Sequence, residues 1–158
     1  MGQVKQGLTV SDSFASPGQP VLLGFDPGRQ KCGLAVMGVD RAVRYQEVVA
    51  TDRVMDQIQR LRQQFPISLL VMGNQTTAKE WKQKLAALPN PLRIVLVDER
   101  YSTLEARDRY WQFYPPKGLA VLLPRSLRSI PRPIDDIVAI LLIERYLDQL
   151  ISSPEKKD

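Results

Sequence analysis

The chain contains no histidine. That absence removes Ser-His-Asp triads, Cys-His pairs, His-ligated zinc and imidazole general bases. Any chemistry must fall to carboxylates, hydroxyls, lysines or a bound metal. Cysteine is nearly as scarce. Cys32 stands alone, which excludes an internal disulfide and favours a reducing compartment, the cytoplasm. No base neighbours it in sequence, so it reads as a small packed residue and not as a nucleophile. No apolar stretch approaches the ~20 residues of a membrane span, so no membrane partner is expected. Residues 1–20 are polar, rich in Gly, Ser and Gln, and lack the apolar centre of a signal peptide; they read as a disordered tail, and 152–158 as a polar one. Acidic residues are missing from one long segment: none occurs between Arg109 and Ile134.

What is present suits one globular domain. The 158 residues, 44% hydrophobic and 25% charged, are enough for a real core and argue against wholesale disorder. The net charge of +5 and a pI near 9.5 favour a polyanionic partner.

Short apolar runs bounded by turn residues predict strands over Val21–Phe25, Gly33–Val39, Ala42–Ala50, Ile67–Met72 and Leu92–Val97. Helical spacing joins Val54, Ile58, Leu61 and Phe65 after a Thr51 cap, with Pro66 as the stop. A second helix sets Trp81, Leu85 and Leu88 on one stripe. A third follows a cap at Ser102 or Thr103, with Ala106, Tyr110 and Phe113 sharing an apolar side with Leu104 and Trp111. The last opens at Asp135-Asp136, whose charges suit a helix N-terminus, and is apolar almost throughout Ile137–Ile143. The order β-β-β-α-β-α-β-α-α implies an antiparallel meander followed by parallel crossovers. The expected fold is an α/β, mixed five-stranded sheet with helices on both faces, forming a single domain over 21–151.

In such a sheet, binding crevices lie beyond the carboxyl ends of the parallel strands. Asp26 ends the first strand, Gly73-Asn74 the fourth and Glu99 the fifth; Asp135-Asp136 opens a helix that can reach the same edge. Taken singly, each has a plain structural account: Asp26-Pro27-Gly28 as a turn, Asp98-Glu99 as a solvated pair, Asp135-Asp136 as helix capping. Together they form a group of like charges whose repulsion a cation relieves. A hard divalent ion takes such oxygen ligands, and metal-assisted phosphodiester hydrolysis needs no histidine.

The segments Asp26-Pro27-Gly28 with Gly33-Leu34-Ala35-Val36, Val97-Asp98-Glu99-Arg100-Tyr101-Ser102-Thr103, and Ile134-Asp135 leading into Ala139-Ile140-Leu141 resemble the YqgF family. Its members are small RNase H-like proteins related to the RuvC-type Holliday junction resolvases, described as junction resolvases and as nucleases that trim the 5′ end of precursor 16S ribosomal RNA. The resemblance runs from about Val21 to Leu150. It implies an RNase H-like fold, a catalytic triad of Asp26, Glu99 and Asp135, Asp136 as a reserve metal ligand, and Mg²⁺ or Mn²⁺ as cofactor. It also places Arg100, Ser102 and Thr103 on the surface around the site. The chain departs from the family in having Pro27 where many members have Tyr, and Gly73-Asn74-Gln75-Thr76-Thr77 in place of a Gly-Leu-Pro loop. Its segment 112–133 is also longer and richer in proline.

Nucleic acid is the expected partner. Arg29 and Lys31 follow Asp26, and the acid-free segment supplies Arg125, Arg128 and Arg132, all suited to phosphate contacts. Leu119–Leu123 is expected to pack down, and the aromatics Tyr110, Trp111, Phe113 and Tyr114 to serve the core. Two other readings compete with a nuclease. One is a catalytically silent nucleic-acid-binding module of the same fold. The other is an ATP-binding domain, disfavoured because nucleotide enclosure in such folds needs two domains. RNA and branched DNA stay open as substrates, as do a monomer and a homodimer.

Overall fold

The structure, a computed structural model, describes residues 19–152. Apart from Gln19 and Pro20, the N-terminal tail lies outside those residues, as does the C-terminal tail after Ser152, which closes the last helix. The elements are β1 (Val21–Asp26), β2 (Lys31–Gly38), β3 (Val43–Ala50), α1 (Val54–Gln64), β4 (Ile67–Gly73), α2 (Ala78–Ala86), β5 (Arg93–Val97), α3 (Ser102–Phe113) and α4 (Asp135–Ser152).

They form one mixed sheet in the order β3-β2-β1-β4-β5. The β1–β2 and β2–β3 pairs are antiparallel, β1–β4 and β4–β5 parallel. The carboxyl ends of β1, β4 and β5 therefore share one edge, and the β1–β2 turn and the end of β3 lie along it.

Period-two alternation divides the strands between two cores. Val21, Leu23, Phe25, Cys32, Leu34, Leu70 and Met72 face α1 and α2, where Ile58, Leu61, Trp81 and Leu85 cover them. Leu22, Ala35, Met37, Leu69 and Val71 face α3 and α4. Helices thus cover both faces, as the sequence predicts. The long apolar run of α4 has its reason here. A Cβ placed on Gly24 would lie 2.3 Å from the Ala139 carbonyl, so the helix backbone rests directly on the central strand. Among the described residues no helix is long and apolar enough to cross a membrane.

Several local expectations are corrected. Thr51 does not cap α1; its hydroxyl donates to the Gly28 carbonyl (2.8 Å) and ties the β1–β2 turn to the end of β3. Neither Ser102 nor Thr103 caps α3. Tyr101 precedes the helix in a left-handed conformation (φ 62°), and a compact turn replaces side-chain capping. Leu104 and Phe113 point outward, while Ala106 and Tyr110 are buried. Leu119–Leu123 does not pack down: Leu119 and Leu122 are about four-fifths exposed. The backbone there curls around Arg128, whose Nε donates to the Ala120 and Leu123 carbonyls (3.0 Å each), and this turns the side chains outward.

Candidate active site

Asp26 is the last residue of β1 and pairs with Gly33 across the hairpin. Gly33 matters for what it lacks. A Cβ there would fall 1.8 Å from the Asp135 carbonyl oxygen, so only glycine lets the first turn of α4 sit down on β2 next to Asp26. At Gly73, the end of β4, a Cβ would fall 2.4 Å from a Glu99 carboxylate oxygen, so the missing side chain leaves the room that Glu99 uses. Glu99 therefore folds back across the end of β4 toward β1. The turn that aims it is held at three points. Asp98 accepts the Arg100 N–H (2.9 Å), Arg145 donates to the Asp98 carbonyl (2.6 Å), and the Ser102 N–H donates to the Glu99 carbonyl (3.0 Å).

Asp26 feels both of the other acids. Burial pushes the Asp26 carboxyl up to about 7, and the negative charges of Asp135 and Glu99 push it in the same direction. The repulsion falls on Asp26, which lies deepest. Glu99 and Asp135 are also raised, each chiefly by burial, with Asp98 adding to the first and Asp136 to the second. Lys31 pulls Asp135 back down.

One residue that sequence reasoning missed sits in the middle of this group. The Gln75 amide donates to Glu99 Oε2, and a second bond links it to Asp26. It thus spans the gap between two carboxylates. Gln75 belongs to the loop that departs from the Gly-Leu-Pro pattern; that departure was the available signal, but a lone glutamine in a loop gives no direction for its side chain.

Asp136 does not join the group. It is buried, accepts from Gln46 (2.9 Å) and Arg132 (3.1 Å), and caps its own helix through the Ile137 N–H (2.9 Å). Among the described residues, no three Asp, Glu, His or Cys side chains stand close enough to hold a metal ion as they are. The donor set still fits a hard divalent cation. Asp26, Glu99 and Asp135 offer only oxygen, and the repulsion that Asp26 feels from the other two is what a cation would relieve.

The expected cations separate into two classes. The side chains of Arg29, Lys31 and Arg125 are exposed and make no hydrogen bond or ion pair among the described residues, though the charge of Lys31 reaches Asp135. Arg100 pairs with Asp98 on the surface (2.8 Å). Arg128 and Arg132 have structural partners: the carbonyls already named and the Trp111 ring for one, Asp136 and the Tyr110 and Tyr114 rings for the other. Ser102 is buried and Thr103 exposed at the start of α3. A cleft of about 590 Å³ opens beside Asp26, between the β1–β2 turn and α2, with Arg29, Thr51, Thr76, Thr77, Glu80 and Lys84 on its walls. Cys32 is buried under that turn, and burial pushes its thiol up, as befits a packed residue.

No protein-family model and no curated protein matches the sequence. Solved structures do match. T. thermophilus RuvC in complex with a Holliday junction substrate shares 16% identity, with 84% of this chain and 96% of that chain covered and a TM-score of 0.53. A second T. thermophilus RuvC structure gives 15% identity, 84% and 97% coverage and a TM-score of 0.47. The likeness to the junction-bound RuvC shows the fold: this chain has the RNase H-like architecture.

Proposed function

We propose that this protein is a metal-dependent nuclease of the RuvC-like type, hydrolysing phosphodiester bonds in structured nucleic acid. The observation that carries the proposal is the placement of Asp26, Glu99 and Asp135, from β1, the turn after β5 and the start of α4, at one sheet edge, where the charges of Asp135 and Glu99 raise the proton affinity of Asp26. Asp26, Glu99 and Asp135 would hold Mg²⁺ or Mn²⁺. When bound, the ion supplies an activated water and neutralises charge on the scissile phosphate. The chain's own part is positional. Gly33 and Gly73 admit the carboxylates to the edge, the Asp98–Ser102 turn aims Glu99, and Lys31 offsets the charge of Asp135. Arg29, Arg125 and the Thr76 and Thr77 hydroxyls of the neighbouring cleft are free to meet phosphates. The RuvC likeness supports a branched junction as substrate; the family resemblance adds structured RNA, including maturation of the 5′ end of precursor 16S ribosomal RNA.

Asp26→Asn removes the central carboxylate at nearly constant volume. It is expected to abolish Mg²⁺-dependent cleavage of a panel of junction and structured RNA substrates while preserving the circular dichroism spectrum. Wild-type-like cleavage by the variant would overturn the site. One observation favours a second reading, a silent binding module: the Gln75 amide engages both Asp26 and Glu99, two of the three carboxylates a metal would need. Crystals soaked in Mn²⁺ separate the two, because the nuclease reading requires an anomalous peak among Asp26, Glu99 and Asp135.

A further inference from the structure

The Pro-rich segment 114–133 does more than connect α3 to α4. Together with the end of α3 it walls a cleft of about 540 Å³ whose sides include Trp111, Phe113, Tyr114, Pro116, Lys117 and Ser129. Its aromatics are not consumed by the core. Phe113 is 46% exposed and Tyr114 48%, against 6% for Tyr110 behind them. Phe113 makes no ring or cation contact among the described residues. The cleft is set in the stretch with no acidic residue between Arg109 and Ile134. Lys117 and Arg125 are exposed there and have no acidic partner.

The cleft is also joined to the acidic edge. The Arg132 guanidinium lies 5.5 Å from the Tyr114 ring centre and 3.1 Å from Asp136, and Asp136 is the neighbour of Asp135. A ligand lying along the acidic edge can continue past the α4 N-terminus into this cleft. Flat aromatic walls, free cations and no carboxylates describe a place for a flat group carried on an anionic backbone.

We propose that this cleft receives an unpaired nucleobase of the strand that crosses the acidic edge. The inference rests on the nucleic-acid reading above and narrows it. A base paired within a continuous duplex has no free face to offer a concave site. The preferred substrate therefore carries unpaired nucleotides next to the cut, as at a single-stranded end, a flap or an opened branch point. Phe113 and Tyr114 supply the stacking surface, and Lys117 meets the adjoining phosphate. The bases stack without being read, so little sequence preference follows.

The test is equilibrium binding in EDTA, which separates it from metal and cleavage. Fluorescence anisotropy is measured for one labelled sequence presented as a duplex, as the same duplex with a single-stranded extension, and with that extension made abasic. Wild type should bind the extended form at least tenfold more tightly than the blunt duplex. Phe113→Ala and Tyr114→Ala should each lose about five-fold or more on the extended form and little on the duplex. The abasic extension should reproduce that loss in wild type, and Tyr114→Phe should retain affinity. Both alanine variants remove half-exposed side chains, and matched melting temperatures would show that folding is intact. Equal binding of blunt and extended forms, or alanine variants that bind the extension like wild type, overturns the nucleobase site while leaving the nuclease reading standing. A wild-type protein that binds none of the three overturns both.

Discussion

Asp26 carries the clearest energetic signature in the molecule. Its carboxyl is pushed from an ordinary 3.8 up to about 7 by burial, Asp135 and Glu99, with the Gln75 amide opposing them. The folded protein therefore binds a proton at Asp26 more tightly than the unfolded chain does. Between about pH 4 and 7 the native state holds the extra proton, so stability falls as pH rises through that window and levels off above it. Below pH 4 both states are protonated and the penalty is absent. Replacing Asp26 by Asn removes the buried charge. The variant should melt at the wild-type temperature near pH 4 and about 5 °C or more above it at pH 8, at roughly 2–4 °C per kcal/mol for a chain of this size. Differential scanning calorimetry across pH in EDTA checks this. A pH-independent gap between the two proteins would mean that Asp26 is not held among like charges. Excess Mg²⁺ should raise the wild type selectively, since the variant lacks the charge that the ion relieves.

The helices and strands show why some of this could be read in advance. Continuous apolar runs flanked by Pro-Gly or Gly-Asn marked β1 and β4, because a strand buried on both faces leaves no polar positions to confuse its period. Asp26 and Glu99 were legible as candidate site residues because one ends β1 and the other lies two residues past β5, and strand ends have a fixed place in the topology. Asp135 was legible from the apolar helix behind it. What failed was everything decided by a side chain's direction. Thr51, Ser102 and Thr103 have the composition of caps, yet backbone turns did that work. Asp136 and Asp135 are adjacent, and only the helical rotation between them sends one to Arg132 and the other to the edge. Gln75 left no trace in periodicity. Gly33 was noted only as part of a motif, although it sets how closely α4 approaches β2. Gly33→Ala tests that approach directly. Its new methyl would lie 1.8 Å from the Asp135 carbonyl and must push the first turn of α4 away. The variant should lose about 1–3 kcal/mol of stability by urea unfolding, and its Mn²⁺ affinity by calorimetry should fall at least tenfold. Unchanged metal affinity would show that α4 contributes no ligand.

Across the whole chain, a net charge of +5 says only that an anion is welcome; which cations meet it depends on which are already spoken for. Arg109 makes two bonds to Glu144 (2.8 and 2.9 Å) and Arg145 bridges the Asp98 carbonyl and Glu105, so both staple α3 to α4 or to the Asp98 turn. Arg132 braces Asp136, and Arg128 organises the Pro-rich turn. Arg29 and Arg125 have no such duties, and Lys31 serves only to offset Asp135. Counterion release converts this division into a measurement, because each phosphate neutralised by a cation contributes about 0.7 to the slope of log affinity against log salt for a single strand and about 0.9 for a duplex. Arg29→Ala and Arg125→Ala should weaken oligonucleotide binding, lower that slope by close to one contact each, and leave the melting temperature within about 2 °C of wild type. Arg132→Ala should behave in the opposite way. It strips a buried carboxylate of its charged partner, so the melting temperature falls by several degrees, while the salt slope of the protein that remains folded changes little. If instead Arg132→Ala lowers the slope and Arg125→Ala does not, Arg132 itself meets a phosphate and Arg125 meets none, and the division between braced and free cations is wrong.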